Sequence, residues 1–128
     1  MKTKIKVGSL MQTSNDFKFT IGWNDQINLP LLELVNILKI FGDQLPEPLS
    51  QRMDLFFYAK KLEKNAEIAL AFHDQEIVGF LAMYANDLIS RKAHIPIVSV
   101  LSNCRGNGIG KALLSRAIAL ARQRSMTN

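Results

Sequence analysis

The chain has 128 residues, of which 48% are hydrophobic and 21% are charged, and its formal net charge is +5. This length suits one domain, and the apolar fraction favours a packed core over a disordered chain. A single cysteine excludes an internal disulfide framework and a multi-cysteine metal site, and two isolated histidines do not suggest a zinc site.

The distribution of apolar residues also excludes a membrane protein. No apolar run approaches the roughly 20 residues that cross a bilayer. The basic N-terminus is not followed by the sustained apolar segment of a secretory signal. We therefore expect a cytoplasmic protein with no membrane partner, whose positive charge favours anionic ligands.

The first third of the chain predicts a strand followed by a helix. Residues 1–16 are polar and mixed, and predict a loose start or a short first strand. Residues 17–23 alternate apolar with polar side chains, which predicts a strand. Asn28 is the predicted cap of the next helix, and Pro30 suits its first turn. Apolar residues then recur at helical spacing over residues 31–41.

A second helix is predicted after a break. Residues 42–50 contain two prolines, which separates the helices. Ser50 is the predicted cap of a helix over residues 51–64. Four apolar side chains of this helix are predicted to pack: Met53, Phe56, Phe57 and Leu62.

The pattern then changes to that of β-structure. Residues 66–72 and 77–84 predict an antiparallel hairpin, and both are apolar almost throughout, so both faces of the sheet are expected to be covered. Residues 94–101 predict another buried strand, in which Pro96 marks an edge or a bulge. A helix follows from Gly108. The order of elements predicts a mixed α/β (α+β) domain with a mostly antiparallel sheet.

The junction between the last strand and the last helix contains three glycines in five residues: Gly106, Gly108 and Gly110. The first N–H groups of a helix lack intrahelical partners and carry partial positive charge, so bare backbone there favours an anion site. Arg105 and Lys111 add formal charge. The spacing fits neither the dinucleotide fingerprint nor the Walker loop, because Lys111 replaces the third glycine of the first and Arg105 the first glycine of the second.

The pattern that fits is [QR]-x-x-G-x-[GA], formed by Arg105, Gly108 and Gly110. With the flanking run "IVSVLSNCRGNGIGKALLSRAIALA", it resembles the GNAT family of N-acetyltransferases over about residues 30–124. The resemblance implies the acyl-CoA N-acyltransferase fold of that family and acetyl-CoA as acyl donor. It also implies that the last strand pairs with the pantetheine arm and the loop amides hold the pyrophosphate. The coenzyme-binding residues implied in this way are Val98, Ser99, Val100, Arg105, Gly106, Asn107, Gly108, Ile109, Gly110 and Lys111.

The activity that the resemblance implies is transfer of an acetyl group to a primary amine of an unidentified acceptor, by direct attack in a ternary complex. The acceptor is a small molecule or a peptide. The alternative is a catalytically inactive module that binds CoA or completes the fold of a partner. A third class, nucleic-acid binding through Arg116, Arg122 and Arg124, lacks a supporting aromatic motif or paired recognition helix.

The catalytic residues stay unassigned. His94 and Glu67 are candidates for a general base, but a strand-end histidine is more often only solvated. Cys104 is interpreted as a packing residue rather than a nucleophile, since no histidine stands at a recognisable partner spacing.

The resemblance also implies elements after the last helix: a strand, a helix, closing strands and a tyrosine that protonates the leaving thiol. Tyr58 and Tyr84 match no such position. We therefore expect residues 1–128 to form a single domain of this fold without its C-terminal part. The open strand edge that this leaves predicts a homodimer or another self-associating form.

Overall fold

The computed structural model describes residues 6–7 and 17–126. In this part of the chain, one sheet has five strands: β1 Lys6–Val7, β2 Thr20–Trp23, β3 Glu67–His73, β4 Glu76–Tyr84 and β5 His94–Val100. Their order is β1-β4-β3-β2, and β5 also pairs with β4. The pairs β2–β3, β3–β4 and β4–β5 are antiparallel, whereas β1 is parallel to the start of β4. The prediction of a mostly antiparallel sheet is confirmed.

The strand predicted for residues 17–23 is shorter in the structure and begins at Thr20. The short first strand expected within residues 1–16 corresponds to Lys6–Val7, and the rest of that segment lies outside the described residues.

Helices cover both faces of the sheet, as the apolar hairpin predicts. The helices are α1 Leu31–Gly42, α2 Leu55–Asn65 and α3 Ile109–Gln123. The ring of Phe41 in α1 lies 6.2 Å from that of Phe80 in β4, measured between centroids. The neighbouring Gly79 faces the other side, where it contacts α3. Within the described residues, no helix has the length and apolar character needed to cross a bilayer.

The predicted cap of α1 is wrong. Pro30, not Asn28, occupies the position before the helix, and no side chain caps it. The carbonyl of Pro30 accepts the first helical hydrogen bond, from the N–H of Leu34 at 3.1 Å. The fixed φ of proline, here −62°, therefore sets the entry to the helix without a capping side chain.

The predicted start of α2 is also wrong. Ser50 lies in a short 3-10 turn, and its hydroxyl donates to Asp43 Oδ1 at 2.8 Å. The cap is Asp54, whose Oδ1 accepts from the N–H groups of Phe56 at 2.9 Å and Phe57 at 3.3 Å. An aspartate adds charge attraction to the helix dipole, which a serine lacks.

The structure also differs from the prediction in which side chains of this segment are buried. Leu62 is buried as predicted. Met53, Phe56 and Phe57 were predicted to pack, but they are 38%, 43% and 68% exposed. The ammonium of Lys60 lies 5.7 Å from the centroid of the Phe56 ring, so part of this apolar surface is covered by a cation.

The predicted hairpin and bulge are confirmed. Strands β3 and β4 are joined through Asp74 and Gln75, whose φ angles of 51° and 69° are those of a tight two-residue hairpin turn. The pairing of β4 with β5 shifts register between Ala82 and Tyr84, opposite Pro96. Proline cannot donate to a ladder, so the bulge accommodates it.

Candidate functional site

Strand β5 presents one backbone edge to β4, and among the described strands none pairs with its other edge, which we call the open edge. The N–H of Leu101, just after the strand, donates to the carbonyl of Val78 at 3.0 Å. Backbone groups of successive residues point to alternate sides of a strand. Because the N–H of Leu101 faces β4, the N–H and C=O groups of Ser99, two residues earlier, face β4 as well. Those of Val98 and Val100, which lie opposite Leu81 and Gly79, point away from it.

One of these outward groups already has partners. The carbonyl of Val100 accepts from Gln44 Nε2 and from Arg105 Nε, both at 3.2 Å. The outward groups that remain are the N–H and C=O of Val98 and the N–H of Val100. The open edge therefore offers a short pattern of donor, acceptor and donor.

A buried residue, Cys104, fixes the start of the glycine-rich loop after β5. Cys104 is completely buried, which agrees with its interpretation as a packing residue. Burial, followed by the charge of Glu76, raises the pKa of its thiol. The carbonyl of Cys104 accepts from Asn107 Nδ2 at 2.9 Å, so Asn107 braces the loop from within.

The glycines give this loop its shape. Gly106 and Gly108 have φ angles of 88° and 80°, in the left-handed region that residues with a Cβ adopt only with strain. A Cβ placed on either one would meet no atom of the described residues within 4 Å, so both positions are open on this side. Gly108 is also the residue before α3, and no side chain of the described residues caps the helix there. The first N–H groups of α3 therefore lie open to a ligand.

The loop, the open edge of β5 and the first turns of α3 enclose a groove of about 620 Å³, which we call the glycine groove. Nine of the ten predicted coenzyme-binding residues line it: Val98, Ser99, Val100, Arg105, Gly106, Gly108, Ile109, Gly110 and Lys111. Asn107 is not among the lining residues. The hydroxyl of Ser99 points to α1, where it donates to the carbonyl of Phe41 at 3.1 Å.

Sequence reasoning missed four lining residues: Gln44, Leu45, Pro46 and Leu114. Three of them follow α1 and were interpreted only as a break between helices. Leu114 lies on the face of α3 beside the predicted core positions. No local pattern marks a residue that reaches the site from 55 positions away in the chain, as Gln44 does.

The candidate bases lie outside the glycine groove. Glu67 forms a salt bridge with Arg124, at 2.9 Å between Oε2 and the guanidinium. This pairing also engages one of the three arginines considered for nucleic-acid binding. The ring of His94 stacks on Tyr84, with centroids 6.4 Å apart. His94 lines a second groove, of about 490 Å³, with Met83 and Ile118.

The chain matches the model of a known family. The model is described as the acetyltransferase (GNAT) family and matches residues 34–128. No curated protein sequence matches the chain.

Solved structures share the fold. A ribosomal-protein-alanine N-acetyltransferase from Brucella melitensis biovar Abortus 2308 is 24% identical, with a TM-score of 0.62, over 86% of this chain and 76% of that one. A GNAT family acetyltransferase from Elizabethkingia anophelis, with acetyl-CoA bound, is 20% identical, with a TM-score of 0.58, over 88% and 62%. A transcriptional regulator from Bacillus halodurans C-125 is 26% identical, with a TM-score of 0.62, over 86% and 78%.

Proposed function

The chain belongs to the GNAT family of acetyltransferases, and we propose that it binds acetyl-CoA in the glycine groove and transfers the acetyl group to a primary amine. The observation that carries this proposal is the open N-terminus of α3 beside two left-handed glycines that face empty space. Backbone donors in such a cradle suit a pyrophosphate. Arg105 and Lys111 line the same groove and add two positive charges.

The open edge of β5 suits the next part of the coenzyme. The pantetheine arm carries amide groups, which pair with a strand edge as an added strand does. The outward N–H of Val100 and the outward C=O of Val98 supply the matching groups, which leaves the outward N–H of Val98 for the acyl end of the coenzyme. This arrangement extends the arm from the loop toward the middle of β5.

The proposed reaction is direct acyl transfer. The amine nitrogen attacks the thioester carbonyl carbon, a C–N bond forms, and the C–S bond breaks. The amine loses a proton, and the departing thiolate takes one up. An outward backbone N–H of β5 stabilises the oxyanion that develops on the carbonyl. The chain contributes position and electrostatics, and the thioester brings the activated acyl group.

A specific observation supports a second candidate, a module that binds CoA without turnover. Among the residues that line the glycine groove, the ionisable ones are Arg105 and Lys111. None of the lining residues carries a carboxylate or an imidazole, the side chains that most often act as general bases. Deprotonation of an ammonium acceptor then depends on a group outside the groove or on solvent.

Calorimetric titration with CoA tests the binding step. We expect Gly108→Asp to abolish binding, because it places bulk and negative charge in the cradle. Gly110→Ala is the matched control: a Cβ on Gly110 would lie 3.7 Å from Val100 Cγ2, an ordinary contact. Equal affinity of folded Gly108→Asp and wild-type protein contradicts the proposed site.

Release of free thiol from acetyl-CoA separates the two candidates. A panel of amines, including an aminoglycoside and a peptide with a free N-terminus, is added to the protein and acetyl-CoA. Thiol release that depends on both protein and amine supports the enzyme. CoA binding without release supports the module.

A further inference from the structure

The side chain of Gln44 joins the end of α1 to the end of β5. Its Nε2 donates to Ser99 Oγ and to the carbonyl of Val100, both at 3.2 Å. Its Oε1 accepts from the N–H of Ser102 at 2.8 Å. Since Ser102 offers a donor and Val100 an acceptor, only one orientation of the amide satisfies both.

These bonds fix the point where the strand turns into the loop. The carbonyl of Val100 also accepts from Arg105 Nε at 3.2 Å, so both of its lone pairs are occupied. Ser102 opens the short 3-10 turn Ser102–Cys104, which leads into the glycines. A single amide therefore holds the last residue of the strand and the first residue of the turn.

The same amide is connected to the body of the domain. Ser99 is 7% exposed, and its hydroxyl donates to the carbonyl of Phe41 at 3.1 Å. Phe41 is completely buried in α1. A hydrogen-bonded chain thus runs from α1 through Ser99 and Gln44 to the loop. In a partly buried network, loss of one member leaves the others without partners.

We infer that Gln44 is a positioning residue for the coenzyme, an inference that rests on the proposed function. Its amide holds the carbonyl of Val100 and the N–H of Ser102. The open edge then offers only the groups of Val98 and the N–H of Val100, and the loop amides stay directed into the groove. The segment after α1, interpreted from sequence as a break between helices, is therefore part of the coenzyme site.

Two variants test this role. Gln44→Leu keeps much of the volume and removes all three hydrogen bonds, so we expect the Kd for CoA to rise about tenfold, the equivalent of one or two net hydrogen bonds. Gln51→Leu is the control, because Gln51 is exposed in the 3-10 turn Leu49–Gln51, and its Kd is expected to match wild type. In steady-state assays we expect Gln44→Leu to raise the KM for acetyl-CoA and to leave the KM for the amine unchanged.

Gln44→Glu supplies a signature that a merely structural role lacks. At pH 8 the carboxylate cannot donate to the carbonyl of Val100, and it repels that oxygen. Near pH 5 partial protonation restores a donor. We expect the ratio of the variant's Kd to that of wild type to fall as the pH is lowered from 8 to 5. This variant also carries the test if Gln44→Leu fails to fold.

The outcomes separate the inference from the proposed function. If wild-type protein does not bind CoA, the proposed function fails and this inference falls with it. If wild-type protein binds CoA but folded Gln44→Leu binds it equally well, only the inference is overturned. A Kd ratio for Gln44→Glu that does not vary with pH also overturns it.

Discussion

Gly79 lies directly under Ile109: a Cβ placed on Gly79 would come within 2.8 Å of Ile109 Cγ2 and 3.1 Å of Leu113 Cδ1. The absent side chain lets the first turn of α3 rest on the sheet. Because β5 pairs with β4 beside Gly79, this close approach places the N–H groups of α3 next to the open edge of β5. The geometry of the glycine groove thus depends on a glycine outside it.

Gly79→Ala tests this dependence. The added methyl group has to push α3 away from the sheet, so we expect the free energy of unfolding to fall by about 1–3 kcal/mol. Urea denaturation measures the change. Gly22→Ala is the control, since its Cβ would meet mainly the flexible end of Ile27, at 3.1 Å. Equal stabilities of the two variants contradict the prediction.

Gly108→Ala tests the backbone of the loop in the absence of ligand. The φ of 80° disfavours any residue with a Cβ, so we expect a loss of about 1–2 kcal/mol in the free energy of unfolding. Gly110→Ala lies in the helix, where alanine is favoured over glycine, and is expected to be neutral or slightly stabilising. Thermal unfolding of the two proteins compares them, and an unchanged melting temperature for Gly108→Ala argues against the left-handed conformation.

Arg105→Ala removes a charge from the glycine groove and a donor from the carbonyl of Val100. We expect CoA to bind several-fold more weakly, a smaller effect than that of Gly108→Asp because the backbone donors remain. Arg116→Ala changes the net charge equally but lies outside the groove lining, so it serves as the control. Because salt screens exposed charges, the difference in CoA affinity between the two variants is expected to shrink at high ionic strength. A difference that does not respond to salt indicates a role other than charge.

The chain has two tyrosines, and both have a raised pKa. Burial is the main cause for each, and the charge of Tyr84 adds to the shift of Tyr58. Tyr84 has a buried hydroxyl with no hydrogen-bond partner among the described residues. We expect phenolate absorbance to appear only above the usual pKa of about 10.

The sign of the effect on stability follows from these shifts. A folded-state pKa above the unfolded value means that ionisation is easier in the unfolded chain. The stability that the protonated tyrosines contribute is therefore fully present below about pH 10 and is lost as the pH rises through the folded-state pKa. The same titration in denaturant is the control, and coincident native and denatured curves contradict the prediction.

The glycine loop was predictable because its determinants are local. A strand pattern, three glycines and a helix pattern follow one another in the chain, and the structure has a strand, a loop and a helix in that order. The hairpin was predictable for the same reason. In both cases the residues that decide the conformation are near neighbours in sequence.

Features that depend on distant residues were not predictable. Ser50 and Asp54 are both acceptable caps, and the choice between them depends on Asp43, which accepts the Ser50 hydroxyl. Likewise, Phe56 and Phe57 are of a residue type that is usually buried. They are exposed because of the way α2 packs on the domain, which the local sequence does not reveal. The contribution of Gln44 to the groove arises from the meeting of α1 and β5, which no local pattern encodes.

The open edge of β5 lacks a free hydrogen-bonding group near each of its ends, which limits pairing with another strand. Pro96 has no N–H to give, and the oxygen of Val100 is already taken. What remains is a window of about 7 Å, whereas typical strands extend over five or six residues. A pairing polypeptide, whether a foreign chain or the second copy of the homodimer predicted from the sequence, therefore gains few backbone hydrogen bonds from this side, while a short amide-bearing molecule fits the window. The short window thus limits, at this edge, the strand pairing that leads to aggregation.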